Sequence, residues 1–240
     1  MHQKALLVHQ YFIYSRIAQQ LTNVKVIRKD VPTDQEIQIM HDKANLIKQE
    51  YPRLRARAVV SLLETGKRRS EIANLKRMPD ADIWTDQKFL YIRFTVRKKR
   101  KKSQNILQRT KKFNIESQHS IILQEYLAYL DKEMPQSEYL FPRGHCVFGQ
   151  SYIFNYIKPI KPQEIWRIVK QLNPQDWPHL HRERRAVKVI RADEAKYGQA
   201  NLETVYRIKS RLDLEKEQTA YNYIRRHETQ RVEEEDDVVL

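Results

Sequence analysis

Hydrophobic positions recur at helical spacing over most of this chain and at strand-like spacing in only one stretch. Ile37, Met40, Ala44, Ile47 and Tyr51 fall near one helical face, behind the capping box Thr33-Asp34-Gln35-Glu36 and ahead of Pro52. That pattern predicts a helix ending at Pro52. Leu54–Glu64 is richly apolar and predicts a second helix, stopped by a left-handed cap at Gly66. Ser70 is placed to cap a short third helix, Glu71–Lys76. Phe89–Val96 is β-branched and aromatic, as a strand requires, and Gln108–Ile115 is its partner across a long basic turn. Helical patterns return in Ser117–Leu130, Gln163–Leu172, His179–Tyr197, Leu202–Lys209 and Lys216–Glu228. Ahead of them lie one helical stretch, Leu6–Leu21, and a basic extended one, Val24–Val31. The prediction is an α+β fold: a mostly helical domain with one small antiparallel sheet.

Composition narrows the partners. With 240 residues, 40% of them apolar, the chain has room for one sizeable domain and its core. A net charge of +15 calls for a polyanion, nucleic acid ahead of membrane. No apolar run reaches the roughly 18 residues of a membrane span. Leu6–Ile13 is interrupted by His9 and Gln10 and lacks a small-residue cleavage site, so it is no signal peptide. The single cysteine, Cys146, excludes an internal disulfide and fits a reducing cytosol. Four glycines are too few for a glycine-rich phosphate loop. His179 and His181 have no second cysteine or carboxylate at ligand spacing, so no metal is expected.

Four clusters bear chemistry, in this order: Gly66–Glu71, the basic run Arg97–Lys102, His179–Arg182, and Thr219–Tyr223. Arginines grip a phosphodiester through paired N–H donors and keep their charge. A tyrosine hydroxyl can attack phosphorus and hold a strand covalently, and a lysine or histidine can move the protons. Arg68 falls in a tight turn just after a buried helix, where its backbone is held rigidly. His179 precedes Arg182 by three residues, so on a helix both face one way. Tyr221 and Tyr223 compete as nucleophile, and two positions on a helix differ by about 200°, so only one faces a cleft. Ala220, Tyr223 and Ile224 share the inward face.

In that order the clusters resemble the tyrosine recombinase, or phage integrase, family. Gly66–Glu71 is similar to its Gly-x-Arg-x-Ser-Glu signature, with Lys67 where a hydrophobic residue is commoner. Trp177–Ala186 resembles its His-x-x-Arg box, in a form like that of archaeal integrases. Leu212–Tyr223 is similar to its terminal box: Leu-Gly-His, a short polar stretch, Thr-Thr, two residues, then the nucleophilic Tyr. The likeness implies a catalytic domain over residues 32–230. It leaves residues 1–31 as an extension or remnant linker, too short for the family's separate DNA-clamping domain, and 231–240 as an acidic and apolar tail exchanged between protomers. It implies a metal- and ATP-independent DNA strand transferase that needs no cofactor. Arg68, Lys98, His179, Arg182 and Tyr223 are then the catalytic residues, with Lys99 the next choice for the lysine. Glu71 and Arg211 support them, and Arg97, Arg100, Lys101, Lys102, Arg69 and Arg184 make further DNA contacts. The implied partner is double-stranded DNA, bound by a homotetramer. The implied setting is the nucleoid of a prokaryotic cell, or a viral or plasmid gene.

One departure stands out. Leu214 lies where the family has His or Trp, nine residues before the nucleophile, and leucine cannot donate to a phosphate oxygen. Lys209 or Arg211 would have to substitute. The rival reading is a basic, non-catalytic DNA-binding or regulatory protein, or an impaired integrase, that lays a helix such as Ser70–Lys76 in a groove.

Overall fold

Thr33 and Glu36 close the capping box in both directions: the Glu36 carboxylate accepts from Thr33 N–H at 2.8 Å, and Glu36 N–H donates to Thr33 Oγ1 at 3.1 Å. They start helix α1, Asp34–Asn45. The helix stops there rather than at Pro52. A break at residues 46–49 separates it from α2, Glu50–Leu63, so Pro52 lies in the first turn of the next helix. Proline fits that turn because its missing N–H would have no helical acceptor. The computed structural model describes residues 31–96, 107–147 and 151–237. The expected helix Leu6–Leu21, nearly all of Val24–Val31 and the basic run Arg97–Lys102 lie outside the described residues.

After α2 comes a short helix α3, Arg69–Ala73. A three-stranded antiparallel sheet follows: β1 (Ile83–Thr85), β2 (Phe89–Val96) and β3 (Leu107–Asn114), in the order β1-β2-β3. β2 and β3 pair from Phe89 opposite Asn114 to Val96 opposite Leu107, so the basic run joins their far ends. Ser117 caps α4, Gln118–Glu133, by accepting from Ser120 N–H. The sequence pattern missed a second antiparallel pair, β4 (Pro142–Val147) with β5 (Ser151–Pro159). Helices α5 (Pro162–Leu172), α6 (Pro178–Tyr197), α7 (Leu202–Leu212) and α8 (Glu217–Asp237) complete the described chain. α8 continues through residues 231–237, where the sequence leads one to expect a tail.

Two hydrophobic cores result within the unit Val31–Leu240. The larger gathers α2 with the flanking α1 and α4, the inner face of β2 (Leu90, Ile92, Phe94), and α5. Leu62 and Leu63 are wholly buried there, each worth about 2 kcal/mol against exposure. The smaller joins α6, α7 and α8 through Ile190, Val205, Ile208, Leu212, Ala220 and Ile224. Lys67, against Phe94 of the larger core, pairs with Asp213, which lies between Leu212 and Leu214 of the smaller, and so marks the seam between the two.

Candidate active site

The first segment of the site is the turn after α2. Gly66 has φ +74°, the left-handed conformation its sequence position suggested. A Cβ there would also lie 2.9 Å from the Leu212 side chain and 3.2 Å from that of Arg185, so both would be crowded. The turn delivers Arg68 to the N-cap of α3, two residues earlier than the expected cap Ser70, and α3 ends at Ala73 rather than Lys76. Glu71, buried, accepts from Arg68 N–H at 3.0 Å and pairs with its guanidinium at 2.8 Å. One carboxylate thus fixes both the backbone and the side chain of Arg68. Lys67, between them, is buried, pairs with Asp213 and lies 4.9 Å from the centre of the Phe94 ring.

Helix α6 supplies the second segment, with Trp177 at its N-cap and Pro178 next. His179 is exposed, 3.3 Å from Glu183. Arg182 is buried and donates to the carbonyls of Gly66, at 2.5 Å, and Leu212. Burial pulls its guanidinium below the ordinary arginine range, and repulsion from Arg68 adds to this; Tyr223, within hydrogen-bonding reach, and Glu71 oppose it. The other face of the same turns is spent on structure. His181 is buried between Glu64, 3.2 Å away, and Asp176, 3.0 Å away. Burial opposes its protonation, but the two carboxylates outweigh burial and raise its pKa. Arg184 is buried and paired with Glu64 and Asp34, so the expected phosphate contact from Arg184 is not available in this arrangement.

The turn between α7 and α8 is the third segment. Asp213 caps α7 with φ 50°, and Leu214 packs in the smaller core. Neither expected stand-in for Leu214 lines the arginine cavity. Lys209 pairs with Glu217 at 2.9 Å, and Arg211 lines a separate cleft with Arg185, Lys188 and Arg207. On α8, Ala220, Tyr223 and Ile224 face inward and Tyr221 is exposed.

Arg68, Arg69, His179 and Arg182 line one cavity of about 430 Å3, walled by Trp166 and Trp177, and Tyr223 adjoins it through Arg182. Arg68 repels the buried charge of Arg182 there, so a bound anion would relieve the repulsion. Among the described residues no cluster of His, Cys, Asp and Glu could hold a metal ion, and no helix is long and apolar enough to cross a membrane. Lys98, Lys99, Arg97, Arg100, Lys101 and Lys102 lie outside the described residues. Sequence reasoning missed Trp166 and Asp213. Nothing local marks Trp166, whereas Asp213 had a signal: a charged residue where the similar box has glycine, matched by the equally unusual Lys67.

A family model described as the phage integrase family matches residues 29–192. No curated protein matches. Among solved structures the chain is similar to the XerH site-specific recombinase in a post-cleavage complex with palindromic difH substrate: TM-score 0.57 and 16% identity, over 87% of this chain and 53% of that one. It is similar also to XerH in a pre-cleavage complex with difH: TM-score 0.53 and 16% identity, over 81% and 50%. This chain therefore spans about half the length of those recombinase chains, and at that identity the likeness is one of fold. The family model covers well over half of the residues, its match takes in the turn of Arg68 and the His179–Arg182 turns of α6, and the chain belongs to the phage integrase family, the tyrosine recombinases.

Proposed function

We propose that this protein cuts and rejoins DNA strands, with residues 32–230 as its catalytic domain and Tyr223 as its nucleophile. One observation carries the reading: Arg68, His179 and Arg182 converge on a single cavity, and Tyr223 lies against Arg182, although the four come from segments far apart in sequence. In the pentacoordinate transition state the nonbridging phosphate oxygens carry more charge than in the ground state. Fixed guanidinium donors therefore stabilise it selectively. Tyr223 Oη attacks phosphorus, giving its proton to His179 or to solvent, a 3′-phosphotyrosyl bond forms, and the bond to the 5′ oxygen breaks. That oxygen takes a proton from the basic run, Lys98 first and Lys99 next. His179 holds a nonbridging oxygen or shares in proton transfer. A 5′-hydroxyl from a partner strand then attacks the same phosphorus and releases Tyr223. The phosphodiester energy is conserved, so neither ATP nor metal enters. The DNA-bound XerH structures support double-stranded DNA as substrate. Four strand exchanges imply four protomers on two sites.

Leu214 favours the second reading, a non-catalytic DNA-binding protein, because it leaves one oxygen without a donor. Nicked suicide-substrate DNA separates the two. The native chain should become covalently joined to labelled DNA, and Tyr223→Phe should bind equally well without joining. A native chain that binds and never joins would replace the enzyme by the binder. An adduct lost in Tyr221→Phe but kept in Tyr223→Phe would move the nucleophile.

A further inference from the structure

We infer that Asp213 is a positioning residue for strand cleavage, the buried carboxylate that fastens together the segments bearing Arg68, the basic run and Tyr223. This rests on the strand-cutting reading above. Asp213 occupies the turn from which α8 departs, with Glu217 beginning the helix that carries Tyr223. Its Oδ2 pairs with Lys67, the neighbour of Arg68, and both side chains are almost wholly buried. Its Oδ1 lies 3.7 Å from Arg109 Nε on β3, the strand that leaves the basic run. Lys111, on the same strand, donates to the Arg211 carbonyl at 3.2 Å; burial lowers its pKa, and the charge of Asp213 opposes that. Two cations from two separate segments thus share one carboxylate, and Lys111 feels its charge.

Backbone contacts reinforce the junction. Arg182 donates to Gly66 on one side of Lys67 and to Leu212 on one side of Asp213. A Cβ at Gly66 would come within 2.9 Å of the Leu212 side chain, so the two segments lie in close contact. Asp213 holds φ 50°, a conformation that costs a side-chain-bearing residue more than glycine, and its charge is what the site gains in return. A buried ammonium is tolerable only with a partner. Without Asp213, Lys67 would face Arg109 and Lys111 with no anion between them, and the Arg68 turn would move away from α8. Reacting groups displaced by about an ångström lose on the order of 100-fold in rate.

The test compares Asp213→Asn, Lys67→Met and the double variant Lys67→Met/Asp213→Gly. Adduct formation on nicked DNA at saturation should fall on the order of 100-fold in Asp213→Asn, with DNA affinity within about threefold of native. Lys67→Met, which leaves no buried ammonium and should fold even where Asp213→Asn does not, should lose about tenfold. The double variant should recover to within about tenfold of native, because no buried ammonium is left unpaired beside Arg68 and glycine accepts the turn. A second readout needs no cleavage: spin labels on cysteines replacing the exposed Arg69 and Tyr221, in a Cys146→Ser background. Their distance distribution should be narrow in the native chain, broadened or shifted in Asp213→Asn and Lys67→Met, and narrow again in the double variant. If the native chain forms no adduct, the strand-cutting reading fails and the label distances alone decide whether Asp213 fixes the geometry. Native-like distances in both single variants, or native cleavage rates in both, would overturn the inference.

Discussion

The first turns of α6 carry the same spacing twice, two residues apart: His179 with Arg182, and His181 with Arg184. The two arginines are equally buried, at 3% and 4% exposure, yet their surroundings differ in kind. Arg182 is held by the carbonyls of Gly66 and Leu212, whose dipoles orient a guanidinium without cancelling its charge. Arg184 is held by the carboxylates of Glu64 and Asp34, which neutralise it. The histidines divide likewise. His179 stands exposed at the cavity, while His181 is enclosed by Glu64 and Asp176. Burial alone therefore does not tell a phosphate-binding cation from a structural one. Between these two α6 arginines the partners do: two carboxylates neutralise Arg184, while Arg182 keeps its charge for an incoming phosphate.

The comparison can be broken most directly at Arg182. Arg182→Ala should slow adduct formation by about 3 kcal/mol, on the order of 100-fold, by loss of a donor to the transition-state oxygens. The same change at Arg184 should leave the rate per folded molecule nearly unchanged. Equal losses in cleavage at both positions, measured at saturating DNA, would erase the distinction. Thermal melting sharpens it from the other side. Arg184→Ala strips Glu64 of one cation and should cost about 3 kcal/mol, lowering Tm by roughly 10 °C. A loss of DNA affinity without that loss of Tm would restore Arg184 as a phosphate contact. The smallest effect is in the pH dependence. His181 has its pKa raised in the fold, so its contribution is fully present below about pH 6.5 and is lost as pH rises through the folded value. The Tm gap between the native chain and His181→Asn should thus widen by a few degrees on going from pH 9 to pH 6. A gap independent of pH would mean that the His181 charge plays no part, leaving only its packing.

Much of the molecule was legible in the residues alone. The capping box at Thr33, the glycine stop at Gly66, the pairing of Phe89–Val96 with the strand after the basic run, and the helices around Arg182 and Tyr223 all follow from local rules. Such features depend on backbone geometry within a few residues, and hydrophobic spacing reports which side faces inward. Tyr223 against Tyr221 was decided the same way, by one helical face. Where local rules offered two equal answers, they failed. Pro52 suits the start of a helix as well as the end of one. Acidic residues 233–237 suit a helix terminus as well as a tail. The β4–β5 pair carries no alternation strong enough to announce it.

The sequence by itself determined that an arginine turn, a basic run, a His-x-x-Arg and a late tyrosine exist in recombinase order, because each is a short-range pattern. The resemblance pointed to His179 and Arg182, but only the tertiary structure shows what occupies the second His-x-x-Arg pair, since Glu64 reaches across 120 residues to Arg184. The pairing of Lys67 with Asp213 across 146 residues was settled in the same way. Charges separated so far along the chain meet only when two cores pack side by side, and no spacing in the sequence records where that seam will fall.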